Sequence, residues 1–225
     1  MTHHVIDSGL GQEFDEVREQ DSGGKFLSAI RLDSNGKVQN AVRLDRPTPT
    51  SSAIGRARAL LVADRVRSVL GLRCTGDPFD EAPDYSGGWA FGWHRTVNGI
   101  PVRGDGTQVR MLPDGTVWAV TETYHSLAVT PASMLTADEA KAAVARELAT
   151  ASNRAELDVT TPDLMWVLPN NLMKSDAADL RTDSVAHLAW AVPVHTSGQT
   201  AESMRLLVFF IDAGDGTVIG GDSIT

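Results

Sequence analysis

The stretch WAFGWHRTVNGIPVRGDGTQVRMLPDGTVWAV, Trp89 to Val120, decides how this chain is read. Its first part alternates. Trp89, Phe91 and Trp93 fall on one side, and Ala90, Gly92 and His94 on the other. A period of two marks a β-strand, here with a heavy aromatic face. Two more strands are predicted at Thr107–Leu112 and Thr116–Tyr124. Pro113-Asp114-Gly115 separates them: Pro fixes φ, and Gly permits a positive φ. The block reads as an antiparallel meander. Between its first two strands lies HRTVNGIPVRGDG, His94 to Gly106. Asn98-Gly99 and Asp105-Gly106 supply backbone freedom. Pro101 has no N–H to give to a ladder and is expected at an edge or bulge. The run is read as a turn that shapes a sheet.

Working toward the N-terminus, residues 46–52 (RPTPTSS) read as a linker that also caps the next element. A helix is predicted from about Ser52 to Leu70, because Ala59, Val62, Val66, Val69 and Leu70 recur at helical spacing. Gly71 suits the position just past its end. Arg56, Arg58, Arg65 and Arg67 fill the other sides, and a solvated face is the plainer reading of them. Before the linker, two β-suitable runs flank Ser34-Asn35-Gly36-Lys37, a strong hairpin signal. Residues 1–24 are polar and acidic and are expected to form a flexible leader. Residues 75–88 read as a long acidic loop.

Toward the C-terminus, Thr136-Ala137-Asp138-Glu139 fits a capping box and starts a second helix, expected to end near Ala151. Strands are predicted next at Asp163–Leu168, Ala186–His195 and Met204–Asp212, and a last hairpin turns at Ala213–Gly216. LLVFFI is apolar on both sides, which marks a central strand covered on both faces. Helices do not alternate singly with strands. The expected class is therefore α+β with antiparallel sheets, each packed by a helix. The preferred division is a leader (1–24), a first β-α-β unit (25–126) and a second unit (127–225).

Composition bounds the function. The 225 residues carry a formal net charge of -9. That acid excess argues against nucleic acid as a partner, which needs clustered Lys and Arg. No apolar run approaches the roughly 18 residues of a membrane span, and the N-terminal run lacks the basic start and apolar stretch of a signal peptide. One cysteine, Cys74, gives no disulfide framework and no cysteine zinc site. It reads as a small, half-buried hydrophobe.

The motifs of common chemistries are missing. There is no HExxH pair, phosphate-binding loop or nucleophile elbow. His187 and His195 share a predicted strand but stand roughly 26 Å apart, too far to hold one metal. The Asp-Gly turns at 105–106, 114–115 and 215–216 lack the oxygen ligands of a calcium loop. Acids such as Asp80, Glu81 and Glu122 give no catalytic pairing by spacing alone. No catalytic residue, cofactor or metal is expected. Trp89, Trp93, Trp118, Trp166 and Trp190 read as sheet or core residues, with an exposed aromatic platform as the alternative.

The Trp89–Val120 stretch resembles the FTP propeptide segment of thermolysin- and fungalysin-like metallopeptidases. Arg95, Gly99, Ile100, Pro101, Val102 and Gly104 carry that likeness. LTADEAKAAVARELA, AHLAWAVPVH and LLVFFIDAGDGTVI look like the adjoining PepSY unit, through Ala186, Leu188, Trp190, Asp212, Ala213, Gly216 and Val218. Together they cover about residues 88–225. The resemblance implies repeated cystatin-like units, each a helix on an antiparallel sheet. It also implies a secreted or envelope protein that inhibits a protease or helps it fold; no peptidase domain follows in this chain. The expected function is a non-enzymatic protein-binding module, monomeric or homodimeric. Its candidate partner-binding residues are Trp89, Trp93, Arg95, Ile100, Pro101 and Val102. The alternatives are a small-molecule protein or enzyme using a sheet concavity, and a structural or assembly module.

Overall fold

The computed structural model describes residues 2–7, 12–45, 47–74, 76, 78–81, 87–150, 156–157, 161–170, 185–195 and 206–224. Two compact units emerge. The first comprises residues 1–95 and 104–124; the second, residues 96–103 and 125–225.

In the first unit the chain forms β1 (Thr2–Asp7), β2 (Gln12–Gln20), β3 (Phe26–Leu32) and β4 (Val38–Arg43), then helix α1 (Arg56–Leu70). Next come β5 (Phe79–Glu81), β6 (Trp89–Val97), β7 (Ile100–Met111) and β8 (Val117–Thr123). The strand order is β1-β2-β3-β4-β8-β7, and β6 joins β7 to β5. The register builds two cross-strand rows. Val17, Ile30, Ala41, Val120 and Val109 face one another across five strands, and Glu16, Arg31, Asn40, Thr121 and Gln108 form the neighbouring row. Side chains alternate across a sheet, so the apolar row takes one face and the polar row the other. Helix α1 covers the apolar face. Its Ala59 and Ala63 pack with Phe91, Trp93, Val109, Met111 and Val120. Two alanines on the buried side let the helix approach the large aromatics of β6.

Two turns do what their residues dictate. Asn98 (φ 53°) and Gly99 (φ 79°) join β6 to β7 with the two positive φ values of a type I′ turn. Gly71 (φ 62°) ends α1. Its N–H donates to the Ser68 carbonyl, and Leu72 N–H donates to that of Arg67, the two bonds of a Schellman motif.

The second unit takes the Ile100–Arg103 segment of β7, then β9 (Ser126–Leu127), α2 (Ala137–Thr150), β10 (Glu156–Leu157), β11 (Asp163–Val167), β12 (Val185–His195), β13 (Leu206–Asp212) and β14 (Val218–Ile224). Helix α2 opens on the predicted capping box: Thr136 N–H donates to Glu139 Oε2 at 2.7 Å, and Glu139 N–H to Thr136 Oγ1 at 3.3 Å. Its Ala140, Ala143 and Val144 pack on Val192, Val194, Phe209 and Ile211. The opposite face of β13 is also buried, with Val208 and Phe210 against Val167, Ala189 and Ile219. Strand β13 is thus apolar on both sides because both sides are covered. Asn170 closes the outer edge of β14. Its side-chain amide donates to Gly221 O and accepts from Gly221 N–H, while its own N–H donates to Ile219 O. An edge so occupied is a poor template for another strand.

The expected class is overturned. Strands dominate both units, and the two helices among the described residues have only 15 and 14 residues. Pairing is mixed: β11 runs parallel to β7 and β9 parallel to β12. This is a sheet-dominated fold, not antiparallel α+β in helix-packed cystatin-like units. Two physical facts explain the difference. Parallel pairs join segments far apart in sequence, which periodicity does not link. And the stretch expected to be a flexible leader holds β1 and β2, paired from Thr2↔Val17 to Asp7↔Gln12. Half of the predicted 75–88 loop lies outside the described residues, but its Phe79–Glu81 pairs with β6 as β5.

Candidate functional site

A dense polar cluster lies in the first unit, where the apolar layer under α1 ends. Val109 pairs with Val120, and one step along the same face Thr107 pairs with Glu122. Asp105 and Tyr124 come next along the chain. The Schellman turn at Gly71 delivers Leu72, Arg73 and Cys74 to this end of the sheet. Leu72 and Cys74 are buried with the core, and Arg73 meets Glu122.

The Glu122 side chain is fully buried. Its carboxylate accepts from Arg73 N–H and from Arg73 Nε at 3.0 Å, with Thr107 Oγ1 at 3.5 Å and Lys37 Nζ at 3.6 Å. Asp105, equally buried, accepts from Arg95 Nη1 at 2.7 Å. Both guanidinium groups lie over the Tyr124 ring, Arg73 at 3.8 Å and Arg95 at 4.4 Å from its centroid. The negative face of an aromatic ring attracts such cations. The Tyr124 hydroxyl stands 3.5 Å from Cys74 Sγ. Burial first, and then this thiol, push the ionisation of Tyr124 far above its usual value. Each carboxylate has its cation, so the cluster is neutralised from within. That arrangement locks the ends of β6, β7 and β8 together, and Asp105 also lines a groove beside His94.

On the polar row, Glu16 sits between Arg18 and Arg31, which both bond its carboxylate. The Arg31 hydrogen bond, outweighing burial, holds Glu16 below its ordinary pKa, with help from Arg18. Two grooves flank this row. One, about 420 Å³, is lined by Glu16, Arg18, Phe26, Arg31, Val42 and Leu44 among others. The other, about 310 Å³, includes Phe79, His94, Gln108, Thr121 and Thr123 in its lining. There the rings of Phe79 and His94 stack at 4.0 Å, with 8° between their planes. Gly92 permits the stack, since a Cβ on it would stand 2.2 Å from the Phe79 ring. Among the described residues no group of three or more His, Cys, Asp or Glu could hold a metal ion. None of the described helices is long and apolar enough to cross a membrane.

The six residues singled out from sequence do not form one surface patch. Trp93 is 1% exposed and belongs to the α1 core. Val102 is 2% exposed and packs with Trp166 and Leu188 in the second unit. Their side chains fill cores and are not available to a partner. Trp89 is half-buried beside Phe91. Arg95 is spent on Asp105 and Tyr124. Ile100 is half-buried, packed with the second-unit core; only Pro101, next to it, is exposed. Alternation marks Trp93 as part of a face without saying whether a helix covers that face. Sequence reasoning missed Arg73, Asp105 and Tyr124 as members of a cluster. The signal for Arg73 is the C′ glycine two residues before it; for the others it is shared parity with Val109 and Val120.

No protein-family model matches the chain, and no curated protein matches it. Among solved structures it is similar to the C-terminal domain of YpeB from Bacillus megaterium. The two are 12% identical, the match covers 100% of this chain and 89% of that one, and the TM-score is 0.47.

Proposed function

We propose that this chain is a non-enzymatic protein-binding module of the propeptide, PepSY type. It would act on a protein partner, a metallopeptidase first among them, as an inhibitor or folding assistant. The observation that carries this reading is the pairing of buried charges. Glu122 is bound to Arg73 and Asp105 to Arg95, so these ionisable groups neutralise one another, whereas an active site holds its ionisable groups poised for a substrate. The sequence likeness to FTP and PepSY propeptides supports the same reading and its extracytoplasmic setting. The test mixes the purified chain with a thermolysin-like metallopeptidase and measures residual activity, refolding yield and retention on the immobilised chain. Inhibition, or a raised refolding yield with retention, is expected. No change in any of the three would sink the reading.

The groove beside His94 favours a second reading, a small-molecule protein using a sheet concavity. Its walls combine a stacked aromatic pair with Thr121, Thr123 and Gln108. Titrating fragment mixtures while following the His94 imidazole by NMR separates the two. Saturable shifts at His94 would move the assignment toward this reading.

A further inference from the structure

Two exposed stripes of opposite charge lie on one face of the first unit. The first is on α1. At 3.6 residues per turn, Arg58, Leu61, Arg65 and Val69 fall within roughly 80° of the helix circumference, on the side away from Ala59 and Ala63. All four are exposed, Leu61 at 71% and Val69 at 76%. Neither Leu61 nor Val69 belongs to the apolar side of the helix that packs on the sheet. The sole acid of α1, Asp64, pairs with Arg67 and not with this stripe.

The second stripe is on β2. Glu13, Asp15, Val17 and Glu19 alternate along the strand and therefore share a face. All four are exposed, Val17 at 38%. Val17 begins the apolar row that continues through Ile30 (37% exposed) and Ala41 to Val120 and Val109 beneath α1. The acidic stripe is thus on the same face of the sheet that α1 covers, where the apolar row runs out from under the helix.

We propose that a second copy of this chain docks here, with the Arg58–Val69 stripe of one copy on the Glu13–Glu19 stripe of the other. Charge complementarity identifies the occupant. Two arginines interleaved with two apolar side chains meet three carboxylates interleaved with one, each side offering what the other lacks. Because both stripes lie on one face, two copies set face to face about a two-fold axis make the contact twice, as an isologous dimer requires. The inference goes beyond the proposed binding function, and a monomeric result would leave that function standing.

The experiment measures the mass of the full chain by sedimentation equilibrium across concentration, at low salt and in 0.5 M NaCl. Wild type is expected to dimerise, with a dissociation constant that rises about tenfold in salt as exposed charges are screened. The Arg58→Glu/Arg65→Glu variant is expected to be monomeric, as is Glu13→Arg/Glu19→Arg. All four positions are exposed, and circular dichroism checks that each variant folds. Mixing the two variants is expected to restore a heterodimer, because each then carries the sign that the other lacks; a misfolded variant would not be rescued. A wild type that stays monomeric at all concentrations would overturn the proposal. So would a dimer indifferent to both reversals, or a mixture that does not re-associate.

Discussion

Replacing Glu122 by alanine tests whether the buried ionic cluster holds the first unit together. The carboxylate serves several donors, and their loss is unequal. Arg73 N–H loses its acceptor beside the core, and an unsatisfied amide there costs about 1–3 kcal/mol. The Arg73 guanidinium loses its ion pair, but that side chain is 41% exposed. Solvent screens the pair, and its share is about 1 kcal/mol or less. Lys37 at 3.6 Å and Thr107 at 3.5 Å lose weaker contacts. The sum is about 3 kcal/mol. Glu122→Gln keeps the shape and one acceptor for the amide and should cost about half as much. Urea unfolding followed by tryptophan fluorescence reads both values, since Trp93 lies in the same core. In the double variant with Arg73→Ala the two costs should fall short of their sum by about 1 kcal/mol, the signature of a direct interaction. A cost below about 1 kcal/mol for Glu122→Ala, or strict additivity with Arg73→Ala, would refute the assignment of a structural ion cluster.

Two further perturbations concern the same unit. Glu16 is held below its ordinary value of 4.5 by Arg31 and Arg18, so its contribution is complete above that value and is lost as the pH falls through the lower folded value. Glu16→Gln should flatten the stability profile below about pH 4.5; superimposable acid unfolding curves for the two proteins would contradict this. Gly106→Ala places a Cβ 2.4 Å from the Trp93 carbonyl oxygen. Backbone meets backbone there, β6 and β7 must part, and a cost of about 1–3 kcal/mol is expected from denaturant unfolding. At Gly92→Ala the nearest obstacle is the Phe79 ring, a side chain that can swing aside. The substitution should leave stability nearly unchanged while the His94 ring resonances shift as the stack opens.

The parts of the fold that are legible in sequence are those set by neighbours along the chain. Thr136 and Glu139 announce α2, Gly71 the end of α1, Asn98-Gly99 the tight turn, and LLVFFI a strand covered on both faces. What escapes is set by partners far away. QEFDEVREQ looks like solvated leader because Glu16, at a buried position of β2, breaks the apolar alternation. The charge is tolerated there because Arg18 and Arg31 both bond it, and the pairing with Arg31 across β3 is one that no local pattern shows. Trp93 and Val102 stay candidates for a partner as long as the covering α1 and second-unit core are out of view. The parallel pairing of Val102 with Trp166 joins segments far apart along the chain and leaves no periodic trace.

The β6–β7 hairpin has its root in one unit and its tip, Thr96–Arg103, in the other. Neither unit is therefore a contiguous stretch of gene. A fragment starting at His125 would lack Val102, the residue opposite Trp166, and would open the small core around Leu188 and Ala213. A fragment ending at Tyr124 would carry a strand tip stripped of its packing. Dissection of this protein is better done by substitution than by truncation, and any attempt to graft the second unit elsewhere must carry the hairpin tip with it.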